Sequence, residues 1–187
     1  LLVATMTWTS TADTIISNFD ISDGVLTLNR RDHLEGSLVS VRAVNGRVHV
    51  VMNSSFLHRV DFVSPRDGSQ DSLDAAEKRN IEVVNALAAE DFVPRTFEEG
   101  PKGTWGTKST AVDCGNLGHP SSFSGWGVTW VATIDLSSPA VAPIGTIGIL
   151  AQSMSTYTST TSMYISTTRW DDLAYEDFVL TRQESPS

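Results

Sequence analysis

The sequence predicts a mainly β protein assembled from a repeated unit, and three observations lead to that class. Leu1-Leu2-Val3-Ala4-Thr5-Met6-Thr7-Trp8 returns near the other end as Met163-Tyr164-Ile165-Ser166-Thr167-Thr168-Arg169-Trp170, and Val48-His49-Val50-Val51-Met52-Asn53 repeats the apolar start without the tryptophan. Thr14-Ile15-Ile16-Ser17-Asn18-Phe19-Asp20-Ile21-Ser22 matches Thr129-Trp130-Val131-Ala132-Thr133-Ile134-Asp135-Leu136-Ser137, and the shift of 115 from Thr14 to Thr129 is also the shift from Val48 to Met163. Alternating or β-branched runs bounded by turn residues recur at short intervals throughout. Fixed-period self-similarity of short β segments is the signature of a radial or stacked β array.

The elements follow in order. Strands are expected at about 1–8, 13–22, 25–30, 37–44 and 47–53, then at 127–136, 140–149, 153–158, 162–168 and 175–182. Asn45-Gly46 lies between two runs and signals a type I′ hairpin, because both central positions need φ > 0. Asp23-Gly24 marks a second turn, and Thr160-Thr161 occupies the place of Asn45-Gly46 in the later copy. The shift from Leu1 to Val48 is 47 residues, within the roughly 40–50 residues of a four-stranded propeller blade. The expected fold is therefore a partial β-propeller of about two to three four-stranded antiparallel blades. Residues 1–187 form one such fragment, with too few units to close a ring of four or more blades. Segments 13–53 and 128–168 should be equivalent units.

The later shift exceeds the unit length by 68 residues, which places a helix-containing insertion at about 54–125, between the second and third strands of the middle blade. From Ser72 to Ala89 the period turns helical, with Leu73, Ala76, Ile81, Val84, Leu87 and Ala88 on one stripe. Ser72 or Asp71 is the expected N-cap, with Asp74 and Glu77 at the positive end of the helix dipole. The helix is expected to pack through Leu73, Ile81, Val84 and Leu87, and Pro94 stops any continuation. Residues 98–112 read as a Gly-rich surface loop.

Composition narrows the function. The chain is 40% apolar and 19% charged, with a net charge of -9, so nucleic acid and anionic membrane surfaces are poor partners for lack of a cationic face. No apolar run approaches the roughly 20 residues of a transmembrane helix. Abundant Ser and Thr with little Lys suit an extracellular or cell-surface β protein. One cysteine, Cys114, rules out an internal disulfide. Starting on Leu1-Leu2-Val3 in what reads as mid-blade, the chain is expected to be an excerpt of a longer protein, in which any export signal would lie upstream.

The chemistry-bearing residues form no catalytic set. No GxSxG, P-loop or strand-following GxGxxG is present. His49 alternates within a strand, while His33 and His58 sit among charged residues and read as solvated. Cys114 and His119 lack the third and fourth ligands that zinc requires. Asp113 disfavours a Cys114 thiolate, so a buried structural thiol is expected. Gly125-Trp126-Gly127 opens a strand, where glycines permit a bulge or close approach rather than cradling phosphate. Asn53-Ser54-Ser55 has the form of a glycosylation sequon. No metal and no cofactor is expected.

Several segments carry a family likeness. Glu35-Gly36-Ser37-Leu38-Val39-Ser40-Val41-Arg42 precedes Gly46-Arg47-Val48-His49-Val50-Val51, followed by Asn80-Ile81-Glu82, Asp91-Phe92-Val93-Pro94-Arg95 and Asp113-Cys114-Gly115-Asn116-Leu117-Gly118-His119-Pro120. Phe123-Ser124-Gly125 and Tyr164 to Trp170 complete the set. Together these resemble the bacterial secreted proteins with a C-terminal β-propeller distantly related to WD40 repeats. The resemblance implies an exported, surface-attached propeller and brings no catalytic residues with it.

The expected function is a non-catalytic binding scaffold for a protein, small-molecule or glycan ligand. The alternative is a hydrolase or lyase using carboxylates on the insertion-bearing face. Trp8, Trp170, Asp171 and Asp172 lie at strand ends on that face and are the candidate ligand-binding residues. Open edge strands offer a third role, self-association.

Overall fold

The computed structural model describes residues 1–8, 12–99, 103–104, 106–138 and 143–169. Three β-structured units follow one another. The first sheet holds β1 (Leu2–Trp8), β2 (Ala12–Ser22) and β3 (Val25–Glu35), and the second holds β4 (Ser37–Val44) and β5 (Arg47–Ser54). After β5 come helix α1 (Gln70–Asn85) and the short strands β6 (Arg95–Glu99), β7 (Ser109–Thr110) and β8 (Leu117–Gly118). The chain then returns to the second sheet as β9 (Val128–Asp135) and β10 (Pro143–Ile149), and a hairpin of β11 (Ser153–Thr158) and β12 (Met163–Thr167) follows. The strand orders are β1-β2-β3-β6-β7 and β4-β5-β9-β10-β8. The fold is a partial β-propeller. The strand expected at 175–182 lies outside the described residues.

Turn chemistry sets the hairpins as the sequence implies. Asn45 and Gly46 have φ of 50° and 76°, and Asp23 and Gly24 have 50° and 77°; both turns thus hold two consecutive left-handed residues.

The shift of 115 governs the ladders pair by pair. Ser17↔Arg31 recurs as Ala132↔Thr146, and Leu38↔Met52 as Ser153↔Thr167. Both register breaks recur too: that at Asn18/Phe19 reappears opposite Pro143/Gly145, and that at Leu38/Ser40 reappears at Ser153/Ser155. Even a side-chain bond is copied. Thr14 Oγ1 donates to the Gly36 carbonyl at 2.9 Å, as Thr129 Oγ1 does to that of Ala151.

The core lies between the first two sheets. Ile16 and Leu34 meet Val48, Val50, Met52, Val128, Trp130, Ala132 and Ile134 in one buried cluster. The other face of the second sheet is tied to the β11–β12 hairpin by polar contacts, Ser40 to Thr156 at 2.7 Å and Asn53 Nδ2 to the Ser153 carbonyl at 3.0 Å. Central strands covered on both faces explain why β9 reads as nearly continuous apolar sequence.

β5 pairs with β9 along its whole length, and the segment 55–127 leaves the second sheet and comes back to it. β6 adds to the outer edge of β3, and β8 adds in parallel to β10. These additions cover part of the β3 and β10 edges, while β1 and β4 remain edge strands. The expected surface loop at 98–112 is corrected accordingly. Glu98 and Glu99 end β6, Ser109 and Thr110 form β7, and Ala111 and Val112 are buried. β3 is also longer than expected, because its charged run Arg30-Arg31-Asp32 is matched across the ladder by Glu98 and Glu99.

Helix α1 forms as expected but starts earlier and faces differently. Its N-cap is Ser69, whose hydroxyl accepts from the Ser72 N–H, rather than Ser72 or Asp71. Ala76 is buried, while Leu73, Ile81 and Val84 are 44%, 54% and 44% exposed. The expected packing through Leu73, Ile81 and Val84 is therefore overturned. The Asn80 carboxamide, on the same side of the helix as Ala76, accepts from the Val63 N–H at 2.7 Å and donates to the Val63 carbonyl at 3.0 Å, so a polar clamp stands where apolar packing was expected.

Candidate functional site

The segment 55–127 is anchored at the crossover from β3 to β4. Gly36 has φ of 129°, and a Cβ there would lie 2.8 Å from the Asn53 carbonyl oxygen, so glycine is required for the chain to pass. Beside it, the buried Glu35 carboxylate accepts from Arg59 Nη1 at 2.7 and 3.0 Å, Ser54 Oγ at 3.0 Å and the Arg95 N–H at 3.0 Å. Arg59 Nη2 continues to the carbonyls of Asp91 at 2.7 Å and Val93 at 3.1 Å. Burial pulls the Arg59 guanidinium below its usual range, and Glu35 opposes the shift. The β1–β2 ladder ends beside this crossover, where Trp8 pairs with Ala12 and Asp13 with Glu35.

On this anchored rim, two aromatic pairs line a pocket. Phe56 and Phe92 meet edge to face with centroids 4.8 Å apart and a 67° interplanar angle, and Phe123 and Trp126 do so at 4.9 Å and 62°. The pocket is about 340 Å³ and is also lined by His119, Pro120 and Leu150. Close approaches hold the loop that carries Trp126. Gly125 has φ of 106° with Gln152 Cβ 3.1 Å from where its own would stand, and a Cβ on Gly127 would come within 2.7 Å of the Ser54 carbonyl oxygen. The glycines thus serve close approach, as read from sequence, and Trp126 projects between them, 63% exposed. No Asp, Glu, Lys or Arg stands among the described residues lining this pocket.

A second cleft, of about 520 Å³, opens between the first two sheets and is polar. Within it Arg30 holds Asp32 through two bonds of 2.7 Å and Glu98 at 2.9 Å. On the opposite face of the first sheet, His33 is buried rather than solvated, a correction. It stacks on Phe97 at 4.5 Å and 15°, with Nε2 3.0 Å from Glu99 Oε2. That bond, with Arg31, holds the Glu99 carboxyl below the usual carboxylate range. Burial pushes the Asp13 carboxyl up, and the His33 charge opposes it. His49 alternates within β5 as expected, bonded to Thr133 Oγ1 at 3.0 Å.

Cys114 is exposed, overturning the expected buried thiol. It opens a short 3₁₀ turn that follows Asp113, whose backbone is extended. Cys114→Ser is accordingly expected to change unfolding free energy by less than about 0.5 kcal/mol, and the native thiol should titrate fully with a disulfide reagent before unfolding. A protected thiol in the folded protein would contradict this placement. Among the described residues, no three His, Cys, Asp or Glu side chains converge as metal ligands.

Of the candidate ligand residues read from sequence, Trp8 ends β1, and its side chain is not among those described. Trp170, Asp171 and Asp172 lie outside the described residues. Sequence reading placed none of the aromatic pocket in a site. The available signal was Phe123 and Trp126 set among Ser and Gly in a loop, where a large apolar side chain has little to bury against.

Successive mainly antiparallel units, the first two sharing one core and a third hairpin docked on the outer face of the second, define a propeller-class scaffold. The model of the β-propeller domain family matches residues 3–184, and the chain belongs to that family. No curated protein and no solved structure matches the chain.

Proposed function

We propose that the protein is a non-catalytic, extracellular β-propeller binding module of the bacterial secreted, WD40-related kind, and that its ligand seats on the rim built by residues 55–127. The observation that carries the reading is Trp126, largely exposed yet held by a loop with two obligate glycines. An exposed, rigidly mounted tryptophan backed by other aromatic rings is a typical binding anchor. The scaffold reading is also supported by the carboxylates of the inter-sheet cleft. Arg30 bonds both Asp32 and Glu98, which suits a structural pair better than a general acid and base.

The test is a combined peptide and glycan array probed with the wild-type protein and with Trp126→Ala. Wild-type hits are expected to weaken at least about tenfold in the variant, or roughly 1.4 kcal/mol, and to be recovered chemically unchanged. Hits that ignore the substitution would remove the site, and ligand recovered cleaved would replace the binding reading with a catalytic one.

A further inference from the structure

Beyond the rim, we infer that the outer face of the first sheet carries a separate small-molecule site, and that it takes a zwitterion of the α-amino acid class. A pocket of about 470 Å³ opens there, lined by Thr7, Asp13, Ile15, His33, Phe97 and Lys108. Strand register gathers these residues. Thr7 pairs with Asp13, Ile15 with His33, and His33 with Phe97, and residues directly opposite in a ladder share a face. Lys108 comes from the segment between β6 and β7, and its Nζ stands 5.5 Å from the Phe97 ring centroid. That segment is pinned beside the pocket. The Gly106 N–H donates to the Glu98 carbonyl at 2.9 Å, and a Cβ on Gly106 would lie 2.9 Å from the same oxygen.

Two opposite charges line this pocket without pairing. Among the described residues, neither the Asp13 carboxylate nor the Lys108 ammonium has a hydrogen-bond or ion-pair partner. Asp13 is half-buried, and a carboxylate withdrawn from water without a donor is costly. A ligand ammonium meets that need, while Lys108 offers a cation to a ligand carboxylate. The chain's net charge of -9 is not mirrored here, since the described lining holds one carboxylate and one ammonium. Lys108 repels a simple amine and Asp13 repels a simple carboxylate, so the complementary ligand carries both charges on neighbouring atoms. The remaining surface includes Ile15 and the Phe97 ring, stacked on His33 at 4.5 Å. An apolar wall beside a few placed charges selects an amino acid with an apolar side chain.

Titration calorimetry with free L-phenylalanine tests the assignment, with phenethylamine and 3-phenylpropionate as the arms that each lack one charge. Phenylalanine is expected to bind, and both analogues at least about threefold more weakly. Asp13→Asn keeps the side-chain shape and should weaken phenylalanine about tenfold. Lys108→Gln, at an exposed position, should weaken it about threefold and erase the preference over phenethylamine. Thermal melts matching the wild type establish that the variants fold, and the analogue comparison on the wild type needs no variant.

Phenethylamine binding as tightly as phenylalanine would make this a cation site and overturn the zwitterion assignment. Absence of phenylalanine binding to the folded wild type would remove the site. Phenylalanine binding that Trp126→Ala abolishes and Asp13→Asn spares would belong to the rim, overturning this pocket while leaving the rim reading standing.

Discussion

Trp130→Ala is expected to destabilise the protein by about 3–5 kcal/mol, the cost of emptying a fully buried aromatic site. Trp130 has no exposed surface and sits in the cluster between the first two sheets. Its indole Nε1 also donates to the Glu35 carbonyl at 2.9 Å, an acceptor that would be left unpaired beside the β3–β4 crossover. Trp130→Phe fills much of the volume and isolates that second loss, for which about 1–3 kcal/mol is expected. Denaturant unfolding followed by far-UV circular dichroism measures both. An alanine variant within about 1 kcal/mol of wild type would mean that the two sheets do not share this core.

Glu35→Ala should be comparably damaging, about 3–5 kcal/mol, because removing one partner of a buried pair strands the other. Arg59 would lose its carboxylate while its side chain stays only 12% exposed, and Ser54 Oγ and the Arg95 N–H would lose their acceptor as well. The loss should be felt first in the segment 55–127, whose stem these bonds hold. Limited proteolysis is therefore expected to cut there before the wild type is cut anywhere. Glu35→Gln keeps an acceptor and should fall well short of the alanine value. Equal stability of the alanine variant and wild type would exclude the crossover hub as an anchor.

The propeller framework was legible because its determinants are local. Period-two apolar alternation sets strand faces, and Asn45-Gly46 and Asp23-Gly24 supply the positive φ their turns need. A copy of the same pattern 115 residues on must then adopt the same register, down to the two bulges. What the chain does with 55–127 was decided elsewhere. Of the apolar stripe of α1, Ala76 is buried while Leu73, Ile81 and Val84 stay exposed, and the helix is held beside Val63 by the polar Asn80. His33 is buried because Phe97 and Glu99, distant in sequence, arrive on β6. Cys114 is exposed at the start of a short 3₁₀ turn, although the neighbouring Val112 is buried. The aromatic pocket brings Phe56, Phe92, Phe123 and Trp126 together from three separate stretches. By itself, then, the sequence determined the strands of the repeat and their turns, since these depend on near neighbours and backbone sterics, but not the short strands β6, β7 and β8 that pair with distant edges. The tertiary structure alone decided burial and the site, since those depend on long-range contacts that no short window of sequence contains.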